Sequence, residues 1–268
     1  MISIATRELC AWIDATLNAA SFSDYCPNGL QVEGKPTVSH IIAGVTASQA
    51  LIEVAAARGA DALLVHHGWF WKGEDPRVRG TRKTRLASLL AHDINLIAYH
   101  LPLDAHPLLG NNAQLARLLG LSPSLEPWQA STSETMAPQR IQTTGPGGLI
   151  WLGHMPGAST LGEVAAKVER ALGRSPQVIG DGSMPAHRIA WCTGAAQSML
   201  SDAIDAGAQV FITGEISEPT VHLAREANVG FLSAGHHATE RYGVQALGEA
   251  IQTQFGIRVD FVDIDNPV

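Results

Sequence analysis

The stretch Ala62-Leu63-Leu64-Val65-His66-His67-Gly68 is an apolar run that stops on two adjacent histidines and a glycine. A run of this length bounded by a turn residue suits a strand covered on both faces, as in parallel sheets. Open α/β sheets place their chemistry at the carboxyl ends of such strands. The stretch therefore predicts an α/β fold that delivers imidazoles to a sheet tip.

Upstream, residues 47–58 are alanine-rich and read as a helix closed by Gly59. Residues 40–45 (His-Ile-Ile-Ala-Gly-Val) read as a strand, so 40–67 is a β-α-β unit. Nearer the start, Leu9, Ile13 and Leu17 beside Trp12 predict an amphipathic helix over 6–18. A loop then carries the turn signal Pro27-Asn28-Gly29 and passes through Leu30-Gln31-Val32. Downstream, the charged segment 72–83, with Gly73, Pro76 and Gly80, reads as an exposed loop able to cover a site. A helix over 84–92 leads to a strand over 94–99, which ends in His100-Leu101-Pro102-Leu103-Asp104. The strand-then-histidine pattern thus recurs, and Asn111 is placed to cap a helix running to about Leu119.

Residues 121–148 are rich in Ser, Pro, Thr and Gly, which predicts a boundary near 125. A smaller module follows, with a strand over 149–152, a helix opened by the capping box Thr160-x-x-Glu163, and a strand over 177–179. From His187 the chain resembles its own first half. His40-Ile-Ile-Ala-x-x-Thr46 has a counterpart in His187-Arg-Ile-Ala-x-x-Thr193, and residues 58–65 have one in 206–213. In that alignment His66-His67 falls opposite Gly214-Glu215, and His100-x-x-x-Asp104 opposite His236-x-x-x-Glu240. The expected architecture is a two-lobed α/β fold of pseudo-duplicated β-α-β units with mixed sheets and a metal site in the cleft between the lobes. Lobe one spans 1–125 plus about 225–268 and carries most metal ligands; lobe two spans about 126–224.

With 268 residues, 46% of them apolar, the chain can bury a substantial core. The net charge of -7 offers no broad basic surface for a phosphate backbone, so nucleic acid is an unlikely partner. Arg7, Glu8 and Asp14 interrupt the N-terminal apolar residues, and no later run approaches a membrane span of roughly 18 residues. The expected location is the cytoplasm. Cys10, Cys26 and Cys192 lack CxxC spacing and read as reduced structural thiols.

The strand tips collect His66, His67, His100, Asp104, Glu215, His236 and Glu240, a nitrogen and oxygen donor set without sulfur. Such a shell suits zinc, manganese or iron better than calcium, and its size fits two ions sharing a bridging carboxylate. Adjacent strand residues ordinarily face opposite ways, so the His66-His67 pair alone specifies little; His236 and Glu240 would share one helix face at i, i+4. His92, His106, His154 and His222 lie outside the pattern and read as solvated or structural. His237 is expected to point elsewhere, and His40 and His187 open the two repeated strands, which suggests a shared structural role. Trp69 and Trp71, directly after the histidine pair, read as walls of a cleft or interface.

The motifs V-H-H-G at 65–68, Y-H-L-P-L-D at 99–104, T-G-E at 213–215 and G-H-x-A-T-E-R-Y-G at 235–243 together resemble the Nif-three-like family, as does P-N-G-L-Q-V at 27–32. Members of that family are often labelled GTP cyclohydrolase 1 type 2 homologs. The resemblance covers essentially the whole chain. It implies a two-lobed subunit, a toroidal homohexamer and a dinuclear metal centre, with His66, His67, Asp104, His236 and Glu240 as ligands and His100 close by. The T-G-E motif brings Glu215 to no assigned ligand position, which leaves it a proton-transfer or supporting role. The functional expectation is a metal-dependent hydrolase in which His100 and Glu215 serve as catalytic residues and metal-activated water attacks a nucleotide or related small substrate. The alternative is a non-catalytic metal-handling or regulatory ring.

Overall fold

The computed structural model describes residues 2–125 and 141–268, so much of the expected linker stretch falls outside the described residues. The chain forms two compact units, Met1–Ala113 with Glu240–Asn266 and Gln114–Thr239 with Pro267–Val268. The division falls within one helix, His236–Phe255. The α/β class with mixed sheets is the one the strand and helix pattern predicts.

The first unit is built on a sheet whose order is Arg258–Phe261, His40–Thr46, Ala62–His67, Asn95–Ala98 and Gly29–Val32. The first four strands run parallel, and Gly29–Val32 closes the edge antiparallel to Asn95–Ala98. Strand side chains alternate between faces, and both faces here are apolar. Ala62 and Leu64 pack with Leu9 and Ile13 of the helix Thr6–Leu17 and with Val244, Leu247 and Ile251 of the helix His236–Phe255. Leu63 and Val65 pack on the other side with Leu51 and Ile52 of the helix Gln49–Ala57 and Leu89 of the helix Gly80–Ala91. Each fully buried leucine or isoleucine contributes about 1.5–3 kcal/mol of transfer free energy, which is why the strand tolerates no polar residue before its tip.

Several local expectations change in the fold. Gly29–Val32 is a strand, where the sequence suggested only a connecting passage, because Gly29 (φ +98) turns the chain into register with Ala98. The helix expected over 84–92 starts at Gly80, shortening the charged loop. His100 is not a strand residue; it precedes the short helix Leu101–Ala105, whose first turn carries Asp104. His40 and His187 do not share a role: His40 is buried and pairs with Asp260 at 3.0 Å, whereas His187 is exposed. What the two positions do share lies in the backbone. Asp61 accepts from the amides of Ser39 and His40, and Gln209 accepts from those of His187 and Arg188, so each strand entry is tied by a side chain from the next strand's start.

Among the described residues, the second unit has a sheet ordered Gln177–Ile179, Gly230–Ser233, Val210–Thr213, Ile189–Trp191, Ile150–His154 and Ser122–Pro123, with Thr143–Thr144 also on Ile150–His154. Its middle three strands are parallel and the flanking pairs antiparallel. The helix Leu161–Leu172 opens with the expected capping box, Thr160 and Glu163 each bonding the other's backbone amide, and buries Leu161, Val164, Val168 and Leu172. Cys10, Cys26 and Cys192 are buried. No helix among the described residues is long and apolar enough to cross a membrane.

Candidate metal centre

The tip of the Ala62–His67 strand places two imidazoles differently. His66 continues the face of Leu64 and is completely buried; its Nδ1 lies 2.9 Å from the Tyr99 carbonyl and must donate to it. The other nitrogen, Nε2, is then turned toward Asp104 Oδ1 at 3.4 Å and Glu240 Oε1 at 3.5 Å, without hydrogen-bond geometry to either. His67 sits where the sheet ends, so alternation no longer sends it away. Its Nδ1 meets Thr46 Oγ1 at 3.2 Å, and its Nε2 reaches Glu240 Oε2 at 3.1 Å. The two rings are 4.5 Å apart. Gly68 follows because a Cβ there would lie 2.2 Å from Gln31 Oε1 and 2.6 Å from Ala98 Cβ.

Asp104 and Glu240 are nearly sealed from solvent. Burial raises the Asp104 carboxyl above its usual range, and the neighbouring Glu240 adds to that against the attraction of His66. For His66, burial disfavours the charged ring, but Asp104 and Glu240 outweigh it and push the pKa up to about 9. A neutral His66 with its proton on Nδ1 would aim a lone pair at two carboxylates. The pocket therefore calls for a positive charge beside Nε2, either a proton or a cation. Donor atoms of His66, Asp104 and Glu240 lie within 4.8 Å of one another, as do those of His66, His67 and His100, so a divalent ion fits this chemistry.

His100 stands beside this group, its ring 5.1 Å from His66 and 4.9 Å from Trp71. Its Nδ1 bonds Asp24 Oδ1 at 2.7 Å and its amide is held by Asn28 Oδ1 at 2.8 Å. Asp24 is a residue the sequence reading missed. Burial pushes its carboxyl up, yet bonds from His100, Asn28 and the Leu101 amide prevail and hold it near about 2. Asp24, Cys26 and His100 are also close enough to share an ion. Burial and Asp24 push the Cys26 thiol up to about 12, so without a cation beside it the thiol stays protonated at neutral pH.

Asn111, read from the sequence only as a helix cap, is the first residue of the helix Asn111–Leu119, and its side-chain amide donates to Asp104 Oδ1 at 2.8 Å and accepts from the Gly243 amide at 2.9 Å. It thereby ties Asp104 to the helix that carries Glu240. The G in R-Y-G is the signal that pointed here, since a Cβ on Gly243 would lie 2.3 Å from Asn111 Oδ1.

In the second unit, Glu215 Oε1 lies 2.6 Å from His236 Nδ1, and Gln197 donates to the other Glu215 oxygen at 3.5 Å. This is the carboxylate–imidazole pairing that orients a ligand histidine. His236 stands one turn before Glu240 on the same helix. The histidines outside the pattern do other work: His106 Nδ1 accepts from the Leu108 and Leu109 amides, His92 bonds the Ser88 carbonyl, and His222 pairs with Glu218 on the surface.

Fold and site together define an α/β protein whose parallel-strand tips gather imidazoles and buried carboxylates of the kind that hold divalent metals. The chain belongs to the Duf34/NIF3 (NGG1p interacting factor 3) family, whose pattern matches residues 4–267. It is 49% identical to the GTP cyclohydrolase 1 type 2 homolog of Pseudomonas aeruginosa over 99% of this chain and 100% of the relative. The protein of the same description from Escherichia coli K12 is 50% identical over 97% of this chain and 98% of its own. Among solved structures, the protein ybgI, of unknown function, superposes with a TM-score of 0.87 at 47% identity, over 99% of this chain and 100% of that one.

Proposed function

We propose that this protein is a metal-dependent hydrolase acting on a small, nucleotide-like substrate. The observation that carries the reading is the buried His66 Nε2 facing Asp104 and Glu240 beside His67, an arrangement at a sheet tip that a divalent cation satisfies. His66, His67, Asp104 and Glu240 would hold the metal, with His236 joining them from one turn ahead of Glu240. The relatives' name, GTP cyclohydrolase 1 type 2 homolog, supports the hydrolytic class and a guanine nucleotide as first substrate to test. In the same reading each subunit takes two divalent ions, zinc, manganese or iron, within a homohexamer. Bound ions would supply Lewis acidity and bring the pKa of water near neutrality.

The chain's own groups then divide the remaining work. Asp24 holds the proton on His100 Nδ1, so Nε2 is the basic atom and can take or return a proton at the substrate. Glu215 does the same for His236, acting on it as a positioning residue. Asn111 keeps Asp104 from rotating away. The test is elemental analysis of the untagged protein together with GTP turnover after each metal is restored. Bound metal with metal-dependent GTP loss is the expected result; no retained metal after reconstitution overturns the reading.

A further inference from the structure

Beside His67, the first unit has a solvent-open cavity of about 240 Å³ lined by the strand tip and the helix Gly80–Ala91. Its lining includes Thr46, His67, Trp71, Thr81, Arg82 and Arg85. Two guanidinium groups and two hydroxyls thus meet beside a candidate metal ligand. Glu74, also on the wall, pairs with Arg82, which in addition donates to the Asp75 carbonyl. Arg85 has no such partner: its Nε is buried and makes no hydrogen bond among the described residues. A buried guanidinium N–H without an acceptor costs free energy unless a ligand atom completes it, and the half-buried Arg85 has its Nε in that position.

We infer that this cavity binds a phosphoryl group of the substrate, with Arg85 as its main partner and Arg82, Thr81 and Thr46 around it. A planar guanidinium matches phosphate oxygens in pairs, and hydroxyl donors complete the set. The cationic and hydroxyl groups of the lining suit the phosphate end of a substrate, which would leave the reacting portion at His67 and the metal centre. His67 joins the two compartments, with Thr46 on its Nδ1 and Glu240 on its Nε2. The chain contains no glycine-rich phosphate loop, which leaves side-chain cations as the means of holding such a group. This inference rests on the hydrolase reading only for the use made of the anion; binding itself does not require turnover.

The test is calorimetric titration of the full-length protein with inorganic phosphate, with GTP and with guanosine, in metal-free and metal-restored states, using wild type, Arg85→Gln and Arg85→Lys. Arg85 lies on a half-solvated helix, and thermal unfolding of each variant verifies that it is folded. Loss of a charge-assisted bond predicts roughly ten- to hundredfold weaker phosphate and GTP binding in Arg85→Gln. Guanosine binding and metal content should be unchanged, and Arg85→Lys should recover part of the loss. Phosphate affinity equal in wild type and Arg85→Gln would overturn the inference, because the anion would then sit on the metal or elsewhere. So would the absence of binding at millimolar phosphate in both metal states. A protein that retains no metal yet shows the Arg85 effect would reject the hydrolase reading and keep the cavity.

Discussion

Asn111→Ala removes a side chain that bonds both Asp104 and the backbone of the helix bearing Glu240. Asn111 is fully buried, with 0% exposure, so water cannot replace either bond. The 2.8 Å bond to Asp104 is charge-assisted and the 2.9 Å bond from Gly243 is an ordinary amide bond. At about 1.5–3 kcal/mol for the first and about 0.5–1.5 kcal/mol for the second, the variant should lose about 2–4.5 kcal/mol. That is a large part of a typical stability of about 5–15 kcal/mol. Urea unfolding followed by circular dichroism reads the loss, and metal affinity should fall about ten- to a hundredfold as Asp104 loses its support. Asn111→Asp gives a distinct signature. It sets a second carboxyl against Asp104, whose ionisation is disfavoured in the fold, so its destabilisation should grow as pH rises above the unfolded carboxyl pKa of about 3.9. An Asn111→Ala protein with the wild-type urea midpoint and wild-type metal content would refute the reasoning.

Asp104→Asn and Glu240→Gln should each abolish both metal retention and metal-dependent turnover, measured by elemental analysis and GTP loss; metal-dependent turnover surviving in either variant contradicts the assignment. Burial would raise the Asp61 carboxyl, but Lys35, the Ser39 amide and hydroxyl and the His40 amide hold it below its ordinary range. Its contribution to stability is therefore complete above the unfolded pKa of about 3.9 and disappears as pH falls through the folded value. The gap between wild type and Asp61→Asn in urea midpoint should close on acidification, and a gap independent of pH would count against this. Tyr99→Phe removes a half-buried 2.7 Å bond to the exposed Asp14 and should cost about 0.5–1.5 kcal/mol in the same assay; a neutral effect would show that Asp14 finds another donor.

Much of this was written in local order. The apolar run ending at His66, the helix pattern of Leu9, Ile13 and Leu17, and the Thr160–Glu163 capping box each depend on spacings of a few residues, and those survive in any tertiary setting. The histidine tip could be singled out for the same reason: imidazoles at the end of a strand too apolar to expose must meet something buried. The pairing that gives the tip its chemistry is not local. His100 meets Asp24 across 76 residues, and Gly243 meets Asn111 across 132. Which Asp or Asn arrives there depends on strand order and on how two helices pack on the sheet. For the same reason the matching positions of His40 and His187 gave no warning that one is buried against Asp260 and the other exposed, since Asp260 belongs to a strand added at the sheet edge. Arg85, an ordinary charged helix residue by spacing, became a candidate anion partner only when the fold enclosed its Nε without an acceptor. Residue order alone determined the strands, the caps and the donor types at the tips, because hydrophobic period and turn chemistry act between near neighbours. The tertiary structure decided which donors converge and which charges lack partners, because convergence is set by packing between segments far apart in the chain.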